Sequence, residues 1–404
     1  MPLAPYAPES RQAWLRLALA LVVGTMACVG TCSVVVLLPA VQAEFGSLRA
    51  GATMPYAAAM IGFAAGTLTM GRAADRYGVA ALIATASLCL FIGYELAALS
   101  QALWQFTLTH LLIGFGAAAG FAPLIADLSH WFVKRRGIAV TIAASGSYLA
   151  GAIWPQAIQL GLEDHGWRAI HAAIGVAALA VMLPLSLLFR TRLTETTMLE
   201  AERATQATRG DLAMSPRALQ FLLCVAGFAC CVAMSMPQVH MVAYCSDLGY
   251  GVARGAEMLT LMLGLGLVSR LGSGLIADRI GAVTTLLLGS VMQALALFLY
   301  LWFDGLASLY VIAAVFGLFQ GGIVPMYAVV IRNYLPPREA GARIGLVLTS
   351  TIVGMAFGGY LSGVIFDLSG SYRVAFLNGL LWNLLNIVLV AWLLLKPRPG
   401  LSPA

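Results

Sequence analysis

The sequence predicts an all-α integral membrane protein in which twelve transmembrane helices form two pseudo-symmetric six-helix bundles. Three observations predict it. Hydrophobic residues make up 61% of the 404-residue chain and charged residues only 10%, too apolar a balance for a domain surrounded by water. Apolar runs of about 20 residues, long enough to cross a bilayer as helices, recur twelve times. An eight-residue motif, GRAADRYG at 71–78, returns as GLIADRIG at 274–281, displaced by 203 residues, which marks a duplicated unit.

Taken in order, the first six spans read 14–38, 53–73, 79–99, 105–128, 138–160 and 169–189. The opening MPLAPYAPESRQ is short and polar, and no small-residue cleavage site closes the first run. That run is therefore read as a retained span. Polar residues 190–217 then separate the halves, so 1–190 is expected to be the N-terminal bundle, 191–216 a cytoplasmic linker and 217–404 the C-terminal bundle. Within the linker, TETTMLEAERA is either a solvated connector or a short helix on the membrane surface. The second six spans read 217–243, 255–277, 282–302, 308–331, 344–366 and 374–395. A second echo, GWRAIHAAIG (166–175) against SYRVAFLNG (371–379), opens the last span of each half with an aromatic–Arg pair. Two homologous blocks imply a binding site between them.

Charge sets the orientation. With both termini inside, 18 Lys and Arg residues fall on the inner side and four (Arg49, Arg168, Arg254, Arg373) on the outer; Arg270 lies in the membrane, completing the 23. The positive-inside rule then places both termini in the cytoplasm. The net charge of +6 does not signal nucleic acid, because the basic residues form no amphipathic face and accompany no recognition motif. Of seven cysteines, six lie inside apolar runs and only Cys245 near a water boundary, which excludes a disulfide framework and offers no metal-ligand spacing. No cofactor is expected. The absence of H-E-x-x-H, G-x-S-x-G or a paired acidic motif argues against an enzyme.

Arg270 is the residue around which the functional reading turns. It sits fifteen residues into an apolar run and eight before Asp278, roughly 12 Å inside one face of the bilayer core. Burying a cation there costs about 2.5–3.5 kcal/mol, so such residues face a polar cavity and find a partner. Gly266, Ser273, Gly274 and Ala277 share its helix face, while Leu261, Leu265, Val268 and Leu275 lie opposite. No acid lies within one turn of it. A guanidinium remains charged at any cellular pH and grips a carboxylate bidentately, so Arg270 is expected to bind an anionic substrate; the alternative is a structural pair with a backbone carbonyl or a buried acid.

Twelve spans, a long central loop and G-x-x-x-D-R-x-G in both halves resemble the major facilitator superfamily. Within it, HWFVKRRGIAVTIAASGSYLAGAIWP (130–155) and the spacing of Arg270, Gly274 and Asp278 are similar to the branch of monocarboxylate transporters and oxalate/formate antiporters. That resemblance implies the major facilitator fold, with Arg270 as the carboxylate ligand. It also implies a cytoplasmic gate, Asp75 near Arg343 and Asp278 near Arg136, with Arg76 and Arg279 in the same turns. The chain departs from that branch in three places: Gly266 stands where proton-coupled animal members have Asp, span 11 has no lysine in its apolar part (344–366), and the acidic signature of the first helix is missing. Without a second cation, a monoanion suits the site better than a dianion.

Further candidates are polar groups inside apolar runs. His240, Tyr327, Gln320, Tyr148 and Tyr56 either line the substrate cavity or serve helix packing. Asp127 and Glu257 are candidates for a coupled proton. For Asp127 the alternative is a cytoplasmic salt-bridge network with Arg76; for Glu257 it is a solvated acid at the outer end. The expectation is a secondary active transporter, a monomer in the inner membrane of a bacterium-like cell. It takes up small monocarboxylates with protons by alternating access. Export or exchange of larger organic anions or drugs is the alternative within transport, and a membrane sensor without flux the alternative outside it.

Overall fold

The computed structural model describes residues 10–132, 136–191, 214–334 and 337–395. All the elements among them are helical. Ser10 starts the first helix by accepting the Ala13 N–H, the usual way a hydroxyl satisfies an end-of-helix donor. Span 1 is α1 (Arg11–Ala27) and α2 (Val29–Phe45), which meet at Cys28. Spans 2 and 3 are α3 (Arg49–Tyr77) and α4 (Val79–Ala98). Span 4 is α5 (Leu103–Ala117), a 3-10 turn at Ala118–Gly120 and α6 (Ala122–Trp131). Span 5 begins as α7 (Arg136–Ala144) and continues into α8 (Gly146–Leu187), which turns at Gly166 (φ 73°) to become span 6.

In the second half Ser215 caps α9 (Pro216–Asp247). There follow α10 (Val252–Ile280), α11 (Ala282–Tyr300), α12 (Leu306–Gln320), α13 (Ile323–Tyr334), α14 (Pro337–Ser369) and α15 (Tyr372–Leu395). Ten helical segments among the described residues are long and apolar enough to cross a membrane. The other two expected spans, 53–73 and 138–160, lie in α3 and in α7 with the first part of α8.

The duplication is visible in the backbone. Gly78 and Gly281 close the two copies of the motif with nearly the same conformation, φ 83° and ψ 156° against φ 85° and ψ 154°. That region admits little but glycine. Each half packs around large buried rings: Tyr94, Phe106 and Phe132 in the first, Tyr300, Phe316 and Phe376 in the second. The halves meet along α3 against α14 and α8 against α10. Val268 (56% exposed) and Leu275 (69%) form the outer face of α10, while Arg270 (4%) and Ser273 (7%) face inward, so α10 is turned as its sequence pattern requires. The expected linker helix at TETTMLEAERA lies outside the described residues.

Candidate functional site

Among the described residues, four of the twelve spans are broken part-way, near Cys28, Ala118–Gly120, Ser145 and Gly321–Gly322. A break leaves carbonyls at the C-terminal side of the first piece without their intrahelical N–H partners, and irregular backbone at membrane depth survives only where protein or a polar cavity satisfies it. Arg270 meets two such carbonyls. Its Nη1 donates to Ala144 O, the last residue of α7, and its Nε donates to Gly321 O just past α12 at 3.3 Å. Gly321 lacks its usual donor because the residue four positions on is Pro325, which has no N–H. One carbonyl belongs to each half, so Arg270 bridges them, held at the negative ends of two interrupted helices. The Tyr148 ring lies beneath the guanidinium, 4.5 Å from Cζ to the ring centroid.

Among the described residues no carboxylate reaches Arg270. Only two of its five N–H donors go to these carbonyls. The missing acid at Gly266 has a steric reason as well: a Cβ there would lie 2.3 Å from the Tyr148 ring, and a Cβ at Gly321 would lie 2.0 Å from Gly266 O. Tyr148 occupies the space an Asp side chain would need.

Arg270 opens on a cavity between the halves with about 160 Å³ of room for water-sized molecules. Tyr148 and Tyr56, both expected site residues, line it with Arg270. Gln238, Thr31, Ser147 and Thr351 add polar groups, and Met60, Met234, Met355 and Phe63 are part of the apolar wall. Gln238, not among the expected site residues, is a polar residue in an apolar run next to Pro237, the same signal that His240 carries two residues on.

Three expected ligands belong to helix packing, not the cavity. His240 is fully buried, its Nε2 2.9 Å from Gly359 O and its Nδ1 3.4 Å from the Tyr372 hydroxyl. Tyr327 donates to Asn386 Oδ1 at 2.7 Å. Gln320 sits one shell back, its Oε1 accepting from Gln238 Nε2 at 2.6 Å. Cys245, expected at a water boundary, is buried with its sulfur 3.5 Å from Met258 Sδ.

Asp127 pairs with Arg16, not Arg76. The contact is bidentate, Nε to Oδ2 at 2.6 Å and Nη2 to Oδ1 at 2.9 Å, and the same guanidinium reaches Phe189 O and Thr191 Oγ1. This clamp joins spans 1, 4 and 6 within the first half. Glu257 is held by Arg254 at 2.8 Å and by the Tyr310 hydroxyl. Neither acid lines the cavity. Of the expected gate, the side chains of Asp75, Asp278 and Arg136 lie outside the described residues; Arg76 and Arg279 are exposed, and Arg343 donates to Pro216 O at 3.3 Å.

A network the sequence did not suggest ties the halves together at the end remote from both termini. Asp367, near the end of α14, accepts the N–H groups of Arg49 and Ala50 at 2.8 and 2.7 Å, so a carboxylate of one half caps the α3 N-terminus of the other. The Arg49 side chain adds an ion pair to Asp247 at 2.6 Å.

Comparison with known proteins agrees with this architecture. A family model described as Major Facilitator Superfamily matches residues 19–309 and 258–404. The MFS-type transporter pynF of Aspergillus niger is 26% identical over 74% of this chain and 68% of its own length. The agnestins efflux protein AgnL12 of Paecilomyces divaricatus is 25% identical over 83% and 76%. Monocarboxylate transporter 13 of Rattus norvegicus is 29% identical over 70% and 68%.

Proposed function

The chain belongs to the major facilitator superfamily, as a multi-pass membrane transporter, and on that premise we propose that it carries an organic monoanion whose carboxylate binds Arg270. One observation carries this reading: a buried guanidinium facing the inter-half cavity, dressed by two backbone carbonyls and, among the described residues, by no acid. Carbonyl dipoles lower the cost of the buried charge without neutralising it. An incoming carboxylate gains a full charge-assisted pair. Because Ala144 and Gly321 come from different halves, ligand capture can compete with the contacts that hold them together, and binding is thereby coupled to rocking of the bundles.

The finer reading is uptake of monocarboxylates with protons across the inner membrane, with both termini cytoplasmic and the Asp75–Arg343 and Asp278–Arg136 pairs closing the cytoplasmic side. Similarity to monocarboxylate transporter 13 supports the substrate class. Export of larger organic anions is the second reading, supported by relatives named as efflux proteins and by the apolar wall of the cavity.

Reconstitution tests both. Protein in liposomes, challenged with radiolabelled monocarboxylates with and without a pH gradient, should show saturable flux, accelerated by the gradient if protons are coupled. Arg270→Ala and Arg270→Lys should abolish or cripple that flux while remaining monodisperse. Undiminished flux in Arg270→Ala rejects the carboxylate ligand; saturable binding without flux points to a sensor.

A further inference from the structure

The cavity is polar at both ends and mainly apolar between them. On α10, Leu259 and Arg270 both line it although eleven residues, about 16 Å of helix, separate them. The site is therefore elongated along the bundle axis. Tyr56 lies seven residues into α3, Leu259 seven into α10 and Gln238 nine from the end of α9. These three share a level about 10–14 Å from the end remote from the termini, whereas Arg270 lies about 27 Å from it. Between the levels the wall includes Met60, Phe63, Met234 and Leu263, soft thioethers and a ring that suit a flat aromatic body, with Thr31 as a polar group among them. Gln238 is rooted at the far level and one end of its amide reaches inward to Gln320, which leaves the other end, with the Tyr56 phenol, for a polar group of a ligand.

Length sets the lower bound on size. About 160 Å³ equals the liquid share of roughly five waters, about 30 Å³ each, drawn out over about 16 Å of helix. Lactate bound at Arg270 would leave the apolar wall and the far polar groups unfilled. Resting on the reading of Arg270 as the carboxylate ligand, we propose that the substrate is a compact aryl-alkanoate monoanion: carboxylate on Arg270, ring against Met60, Phe63 and Met234, and a hydroxyl or similar group at Tyr56 and Gln238.

The test uses the full chain in proteoliposomes with four competitors of one radiolabelled probe, phenylpropanoate: lactate, unlabelled phenylpropanoate, para-hydroxyphenylpropanoate and neutral phenylpropanamide. Phenylpropanoate should compete at least about tenfold more strongly than lactate because it buries a ring. The para-hydroxy acid should be a further threefold or so stronger. Tyr56→Phe and Gln238→Leu should each reduce that last advantage, with monodispersity and melting temperature near wild type showing that the variants are folded; an undiminished advantage in both overturns the placement of the polar group at that end. If lactate competes as strongly as phenylpropanoate and Arg270→Gln abolishes phenylpropanoate flux, the aryl-alkanoate proposal is overturned while the anion reading stands. If the amide competes as well as the acid and Arg270→Gln still transports, the anion reading fails and takes the proposal with it.

Discussion

Arg16 and Arg270 are both almost wholly buried, at 5% and 4% exposure, yet they are solvated in opposite ways. Arg16 has a carboxylate in a two-point grip, a hydroxyl, a backbone carbonyl and two aromatic faces, Trp131 and Phe189. Its partners lie in the first half and in Thr191, the residue that follows it. Arg270 has one ring and two carbonyls, drawn from different halves. The first arrangement is complete and local; the second is incomplete and spans the interface that must move. A guanidinium that is already neutralised serves packing, whereas one left on partial charges keeps attraction in reserve for an anion.

The largest effect that bears on this contrast should come from Asp127→Ala. Stranding a buried partner typically costs about 3–5 kcal/mol, so the variant is expected to lose monodispersity and melt at much lower temperature; a melting temperature equal to wild type would place Arg16 in water. Arg270→Ala should do the reverse. It removes no ion pair, so the melting temperature should stay near that of wild type or rise, while anion flux falls at least about thirtyfold. Comparable destabilisation by both changes would erase the distinction.

A third arginine, Arg49, sharpens it, because its network holds the halves together from outside the cavity. Asp367→Asn weakens a cap worth about 1 kcal/mol and should open the end remote from the termini. Cys28, Cys32 and Cys231 line the cavity, so a membrane-impermeant maleimide added from that side should label the variant faster than wild type. Unchanged labelling would assign the cap to α3 alone. The smallest effect is expected for Arg254→Gln. Its pair with Glu257 is exposed on both sides, 53% and 40%, and such pairs contribute about 0–1 kcal/mol; transport should be unchanged, and a clear loss would promote Glu257 to a functional acid.

How much of this was legible in the sequence follows from what is local. The depth and facing of Arg270 could be read along one helix, because periodicity and the absence of a nearby acid are properties of its own neighbours. Its carbonyl partners lie 126 and 51 residues away, although Pro325 after Gly321 was a signal that a carbonyl there would be free. His240 and Tyr327 look like cavity groups for the same reason Tyr148 and Tyr56 do: each is a polar side chain in an apolar run. Only packing separates them, since the first two find partners in Gly359 O and Asn386 while the others border the cavity.

The chain by itself determined where helices cross, that one half repeats the other, and that a cation lies in the hydrocarbon. Those features depend on composition and on regular spacing, which survive without knowledge of distant contacts. Tertiary structure alone decided which helix ends are broken toward Arg270, that Asp127 answers Arg16, and that Asp367 caps a helix more than three hundred residues earlier. Burial removes water from every polar group at once, and only the assembled bundle settles which of them find a protein partner and which are left for a ligand.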